Sequence, residues 1–458
     1  MLQTDEQLKR PALVIAVLSS FITPFMGSAV NIILPAIGRE FQADAVLIGW
    51  IVTAYLLTSA VALVPFGRAA DIFGRKKFFM TGIGLYSLAA LLSSLAGSVA
   101  HLILCQILLG LGSSLIFSTS MAILISVYPP QERGKVLGIA VGSVYIGLSL
   151  GPLFGGLLTQ YLGWRSVYIA NVPLGLIVIY LVATRLKAEW AEAAQEPFDT
   201  AGAVIYAVGI ISLLYGLTTL PRQRAFWLIP IGCIFLWGFV RREIKTEYPV
   251  FDMTLFRANR IFAFSSLAAF IHYAATFSMA FFLSLYLQHI KGLSPHQAGL
   301  VLMAQPVVMA VFSPLAGRLS DRIEPRIVAT IGMGITTLCL FLFSGIRSHT
   351  GLYAITTALA CLGFGYALFT SPNTNAIMGS VEKKQYGIAS GSVGTMRLLG
   401  MVFSMGVATS TFSIFLGRVP ITEEVFPMFM KSVRLAFFFF GCLCLIGSFA
   451  SLIRGNLR

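Results

Sequence analysis

The sequence predicts an all-α membrane protein with fourteen transmembrane helices, built as two six-helix pseudo-repeats plus two inserted helices. Three observations predict it. The 458 residues are 57% hydrophobic and only 11% charged, with a mean hydropathy of +0.85. Ordinary soluble domains carry about 25% charged residues, so there is too little charge to coat soluble surfaces. Next, apolar segments of bilayer-crossing length follow one another with short breaks. Finally, glycines and charges near the start recur late in the chain at a fixed offset. The composition excludes a soluble enzyme and a secreted disulfide scaffold, and the unbroken apolar runs exclude a β-barrel with alternating strands.

The segments lie near 12–34, 46–66, 78–99, 102–127, 136–159, 166–184, 201–219, 226–240, 261–287, 298–317, 327–346, 352–379, 388–416 and 433–453. They must be helices, because backbone groups in lipid have to bond within their own segment. The first follows a polar start ending in Lys9-Arg10 and runs unbroken to Pro35, too long for a signal peptide. It is read as a retained span. Apart from Arg434 at the very start of the fourteenth, the one Asp, Glu, Lys or Arg in these segments is Arg397, deep in the thirteenth.

The loops and tails on the same side as the N-terminus carry most of the 32 Lys and Arg. That bias puts both termini in the cytoplasm of a multi-pass cell-membrane protein. The net charge of +14 is therefore an orientation signal, and no nucleic-acid partner is expected. The six cysteines all fall in apolar stretches and read as buried hydrophobes. No metal or cofactor is expected.

Gly67-Arg68-x-x-Asp71 recurs as Gly317-Arg318-x-x-Asp321, and Gly49, Gly82 and Gly84 recur as Gly299, Gly332 and Gly334. Gly134, Gly138 and Gly147 recur as Gly387, Gly391 and Gly400. Spans 1–6 and 9–14 are thus two copies of one unit. The expected organisation is 1–190 for the first bundle, 191–255 for a linker with two extra spans, and 256–458 for the second bundle. Duplicated helical units of this kind are typical of secondary transporters, with the substrate at their interface.

The loop after span 2 runs Gly67-Arg68-Ala69-Ala70-Asp71-Ile72-Phe73-Gly74-Arg75-Lys76-Lys77. Its glycines suit a tight turn, and Asp71 is placed to meet Arg75. The second copy offers Asp321, Arg322 and Arg326, and the loop after span 4 adds Glu132 and Arg133. Such clusters are expected to latch two bundles on one face and release as they rock apart. Span 5 carries Gly147-x-x-x-Gly151-Pro152-x-x-Gly155-Gly156, whose small residues let a neighbouring helix approach closely.

These motifs resemble the major facilitator superfamily over the whole chain. The two loops are similar to its signature between spans 2 and 3, and the span 5 run is similar to its antiporter motif. Trp164-Arg165 followed by Asn171-Val172-Pro173-x-Gly175 resembles the start of span 6 in the fourteen-span drug:proton antiporter branch. The resemblance implies the major facilitator fold, no enzymatic activity, export of amphipathic molecules by alternating access, and exchange for protons.

Two departures bear on mechanism. The branch opens span 1 with D-x-T-x-V-N-x-x-L-P, whereas Met26 stands here in the aspartate's place, with Asn31 and Pro35 following. Its span 4 carries R-x-x-Q-G, whereas Gln106 stands here for the arginine. The carboxylate that the resemblance would make a proton carrier is absent. His272, in span 9, is the candidate replacement, because its ordinary pKa suits proton exchange; the alternative is a neutral histidine bonded within the bundle. A stripe of Ser265, Ala269, His272, Thr276 and Met279 is expected to look inward. Arg397 either attracts an anionic substrate or braces the bundle through a carbonyl or tyrosine. Tyr55, Tyr145, Tyr273, Gln305, Tyr366, Asn373 and Asn375 are further candidates for the cavity wall. The loop from Arg241 to Arg260 is expected to lie along the membrane interface.

The substrate is expected to be a small-molecule or lipid-like amphiphile, with export as the leading reading. A lipid transporter and an uncoupled facilitator are alternatives. A membrane-embedded enzyme would need convergent His, Glu, Asp, Ser or Cys near one face, and the five histidines are scattered.

Overall fold

The computed structural model describes residues 2–251, 253–382, 385–417 and 419–455. Fourteen helices long and apolar enough to cross a membrane are present, and among the described residues there is no strand. Spans 1–6 run Leu8–Phe41, Ala45–Phe73, Arg75–Ser94, Val99–Val127, Gln131–Leu162 and Arg165–Arg185. The two inserted spans are Thr200–Thr218 and Gln223–Glu243. Spans 9–14 run Arg260–Ile290, Pro295–Ser320, Pro325–Ser344, Leu352–Gly379, Ala389–Phe415 and Glu423–Ile453. With fourteen crossings, both chain ends lie on one face of the bundle, the terminal face. Several helices outrun their apolar segments. Span 2, for example, continues through Arg68 and Asp71 before stopping at Gly74, whose φ of 117° lies where only glycine is unstrained.

The repeat is legible in the packing. A Cβ on Gly82 would meet the Gly112 carbonyl at 3.1 Å, and one on Gly332 would meet the Gly365 carbonyl at 2.7 Å. Spans 3 and 4 therefore approach each other as spans 11 and 12 do. The same symmetry joins the halves. Span 2 packs on span 13, span 5 on span 10, and span 1 on the middle of span 9. Span 7 covers the first of these seams. Tyr206 donates to the Ala60 carbonyl of span 2 at 3.0 Å, and Ser410 of span 13 donates to the Leu217 carbonyl at 2.5 Å. Span 8 packs on span 7 and turns Phe226, Trp227, Ile234 and Trp237 outward, as lipid requires.

Two helices are broken where the cavity lies. Span 9 is interrupted at Phe277–Ser278, and the freed Ser278 N–H donates to Ser404 of span 13 at 3.0 Å. Span 10 is interrupted at Met303, where Pro306 cannot donate to Leu302 one turn back. The segment after span 8 packs apolar residues onto the protein. Val250 and Leu255 are buried, Glu243 accepts from the Phe251 N–H at 2.7 Å, and Phe256 meets Phe262 edge-on with ring centroids 4.8 Å apart. Leu255 and Phe256 join a cluster with residues of spans 9, 12 and 13.

Candidate functional site

Three of the antiporter-motif glycines pull span 5 onto span 1. A Cβ on Gly147 would stand 2.6 Å from the Phe21 carbonyl, and one on Gly155 would stand 3.0 Å from Ala29. Gly151 faces Ser28, whose hydroxyl bonds back to Pro24 at 2.9 Å. The fourth faces the other half. A Cβ on Gly156 would lie 2.5 Å from the Pro295 carbonyl of span 10, and Gly299 returns the contact against Pro152. At the same level, Ser284 and Gln288 of span 9 donate to the Asn31 and Ile32 carbonyls of span 1, at 2.5 and 3.0 Å. These contacts lie toward the face opposite the termini. Along the same side of span 5, Pro152 and Gly156 are buried, Tyr145 and Leu148 are half-buried, and Gly134, Gly138 and Val141 are exposed. The halves therefore fit tightly at the far end and less so toward the terminal face.

Between them lies a cavity of about 210 Å³. Met26, Asn31, Tyr55, Gln106, Tyr273, Gln305, Tyr366 and Arg397 all line it, along with Thr276, Phe277, Leu302, Pro306, Met309 and Met401. The wall is mainly apolar with a few polar groups, the usual makeup of an organic-molecule site. Its polar groups are mostly committed. Tyr55 and Ser113 share a hydrogen bond of 2.8 Å, and Tyr366 and Thr276 one of 2.6 Å. The two departures in spans 1 and 4 prove mutually consistent. Met26 receives a contact from the Asn171 amide at 3.9 Å, and Gln106 donates to Tyr168 at 2.9 Å. Each replaced charge has a neutral partner, so this wall carries no orphaned ion.

Four predicted cavity residues do not line it. Tyr145 is half-buried and not among the lining residues, although it lies near Tyr273 and Arg397 and close to Ser313 and Ser371 of the second half. Asn373 is buried and donates to the Ser265 carbonyl at 3.0 Å, while Asn375 donates to Ser320 at 2.7 Å. His272 is fully buried, next in the chain to the lining residue Tyr273 and one helical turn before Thr276. Its ring stacks on Phe369 at 4.1 Å and meets Tyr366 edge-on at 4.4 Å, and neither ring nitrogen has a partner among the described residues. Of the expected stripe, Thr276 reaches the cavity, whereas Ser265, Ala269, His272 and Met279 do not. The lining face of span 9 is instead Tyr273, Thr276, Phe277 and Ala280.

Arg397 lies over the ring of Tyr273, 5.1 Å from its centroid. A fully buried arginine, Arg454, is not legible as a site residue, since it follows the last apolar segment. It donates to Asn373 at 2.7 Å and to Ser265 at 3.2 Å. Burial pushes its guanidinium down to about 10.

On the terminal face, Asp71 accepts from Arg75 at 2.7 Å, as the spacing predicts. The other partners of this loop come from the segment joining the first half to span 7. Arg75 makes a two-pronged contact with Glu192 at 2.7 and 3.0 Å and also donates to Ser126. Arg68 pairs with Glu196, and Glu189 accepts from the Lys76 N–H at 2.7 Å. Burial disfavours the Glu192 carboxylate, but the hydrogen bonds and charge of Arg75 outweigh it and hold its pKa below the ordinary value. Three glutamates spaced by three and four residues were the available signal for this strap. Glu132 pairs with Lys9, and Arg133 donates to the Tyr128 carbonyl, both within the first half. In the second copy Arg318, Asp321 and Arg322 are exposed and Arg326 is half-buried. Gly317 lies beside Ser371.

The Major Facilitator Superfamily family matches residues 16–264 and 265–456. The riboflavin transporter RibZ of Clostridioides difficile (strain 630) is 29% identical over 406 residues, covering 89% of this chain and 88% of that protein. The multidrug resistance protein Stp of Mycobacterium tuberculosis (strain CDC 1551 / Oshkosh) is 29% identical over 412 residues, covering 87% and 75%. Among solved structures, a D-xylose-proton symporter superposes with a TM-score of 0.69 at 13% identity, covering 97% of this chain and 98% of that one. With the two six-helix copies and the cavity at their seam, these matches make the chain a transporter and not an enzyme: it belongs to the major facilitator superfamily.

Proposed function

We propose that the protein exports amphipathic organic molecules by alternating access, with its terminal face in the cytoplasm. One observation carries the reading: a mainly apolar cavity lined from both pseudo-repeats at their seam. The exposure gradient along span 5 supports a conformation open to the terminal face and shut at the far face. The Lys and Arg bias supports a cytoplasmic terminal face. Relatives named for riboflavin transport and multidrug resistance support a small organic cargo. The charged loops serve as latches, exchanging partners as the halves rock. The test is counterflow in proteoliposomes preloaded with either a fluorescent amphiphile or a hexose. Saturable exchange of the amphiphile alone is expected. Exchange of the hexose alone would overturn the reading.

In this reading His272 carries the exchanged proton. It is the ionisable group packed against both Tyr273 and Tyr366 of the cavity wall, and no carboxylate lines the cavity among the described residues. His272→Asn is expected to lose substrate-driven proton movement, read with a pH dye inside the liposomes, while retaining counterflow. Proton movement at the wild-type rate in this variant would remove His272 from the role.

A further inference from the structure

We propose that the substrate is an organic anion, an amphiphile whose negative head group is bound by Arg397 while the apolar wall holds its body. The inference rests on the reading of this cavity as the transport site. Among the described residues lining it, Arg397 is the only Asp, Glu, Lys, Arg or His. The cavity therefore has one fixed positive charge and no counter-ion from the wall. A lone cation at membrane depth is expensive, and such residues ordinarily pair within the bundle.

The two interior arginines differ in this respect. Arg454 donates from one guanidinium nitrogen to both Asn373 and Ser265 and is walled in by protein, away from the cavity. Arg397 borders the cavity, and among the described residues no carbonyl, hydroxyl or carboxylate accepts from it. Its one close partner is the ring of Tyr273. An aromatic contact takes no acceptor oxygen, so the N–H groups of Arg397 are unspent. The nearby hydroxyls of Tyr55 and Tyr366 are already bonded to Ser113 and Thr276. What remains is a planar fork of donors matching two oxygens of a carboxylate, sulfonate or phosphate. Arginine stays protonated at any working pH, so the site does not change sign. A cationic molecule would meet like charge with no carboxylate to offset it, which is how a site rejects a ligand class.

The test uses the full-length protein in phosphatidylcholine nanodiscs and three dansyl probes with the same undecyl body. One ends in a carboxylate, one in a methyl amide and one in trimethylammonium. Wild type is expected to bind the carboxylate at least about tenfold more tightly than the ammonium probe. Arg397→Gln is expected to bring that ratio to within about twofold while leaving the neutral probe's affinity unchanged, which also reports an intact cavity. Arg397→Lys, keeping the charge without the fork, is expected to fall between. Competition by lysophosphatidylglycerol would assign the head group to a lipid, and competition by 2-naphthoate to a soluble organic acid; displacement by neither would overturn the proposal. So would tighter binding of the ammonium probe, or an unchanged ratio in Arg397→Gln. Because binding is read without transport, a failure of all three probes to exchange in liposomes would count against the export reading and leave this ratio to decide the head group.

Discussion

Gly156→Leu is expected to cost about 10–100-fold in transport while the protein still inserts and purifies as a single species. The physical reason is that Gly156 lies where the two halves touch, not within one of them. Its missing Cβ makes room for the Pro295 carbonyl at 2.5 Å. A leucine there overpacks the contact, at a cost of about 1–3 kcal/mol. That cost falls only on the conformation closed at the far face, so it shifts the balance between conformations by about 10–100-fold instead of unfolding the protein. Two measurements check this. The first is the counterflow rate. The second is the distance between spin labels at Tyr161→Cys and Tyr353→Cys, exposed residues of the two halves, with native cysteines replaced. The distance is expected to lengthen in the Gly156→Leu background. Gly142→Leu, on the same helix with nothing within 4 Å of its Cβ, is the control and should transport within about twofold of wild type. Wild-type turnover in Gly156→Leu would remove the far-face contact from the cycle.

The second large effect is expected at Arg75. Only 8% exposed, it ties span 3 to Asp71 of span 2, Ser126 of span 4 and Glu192 of the strap. Arg75→Gln leaves two carboxylates facing each other without their shared cation. Breaking a fully buried pair costs about 3–5 kcal/mol, and the Glu192 side chain is largely exposed, so about 2–3 kcal/mol is expected after discounting for solvent. Thermal unfolding of the detergent-solubilised protein would read it, together with a lower transport rate. An unchanged unfolding midpoint would show the cluster to be a solvated orientation signal. The strap also predicts a pH dependence. Glu192 has a folded pKa below its ordinary value of 4.5, so its stabilisation is complete above that value and is lost as pH falls through the folded pKa. The stability difference between wild type and Glu192→Gln should be present at pH 7 and shrink below about pH 4.5.

Much of the molecule follows from one-dimensional pattern. Apolar runs near twenty residues long can only be spanning helices, because lipid offers no partner for an open backbone. The repeat of Gly67, Arg68 and Asp71 as Gly317, Arg318 and Asp321 makes the two halves one unit used twice. Arg397 stands out because the charges of the other spans lie toward their ends, whereas it lies deep in span 13. Met26, Asn31, Tyr55, Gln106, Tyr273, Gln305, Tyr366 and Arg397 line the cavity, and the polar ones among them were legible because polar groups deep in a span favour the bundle interior.

Which part of the interior they reach is a different matter. His272 and Tyr273 are neighbours in the chain, yet one is sealed behind Phe369 while the other lines the cavity. A helix turns about 100° per residue, and span 9 is buried nearly all round, so no hydrophobic stripe reveals which side faces the seam. Asn373 likewise reads as cavity wall and proves to be the cap of Arg454, a residue eighty positions away. The strap was out of reach for the same reason: Glu192 and Glu196 find Arg75 and Arg68 only after six helices have returned the chain to the face where it began. What crosses the membrane, how often, and in how many copies is written in the order of residues, because those properties depend on local composition and backbone hydrogen bonding. Which charges meet, that His272 is sealed, and that Arg397 borders a cavity without a counter-ion emerge with folding, because they depend on helix rotation and on contacts between residues far apart in the chain.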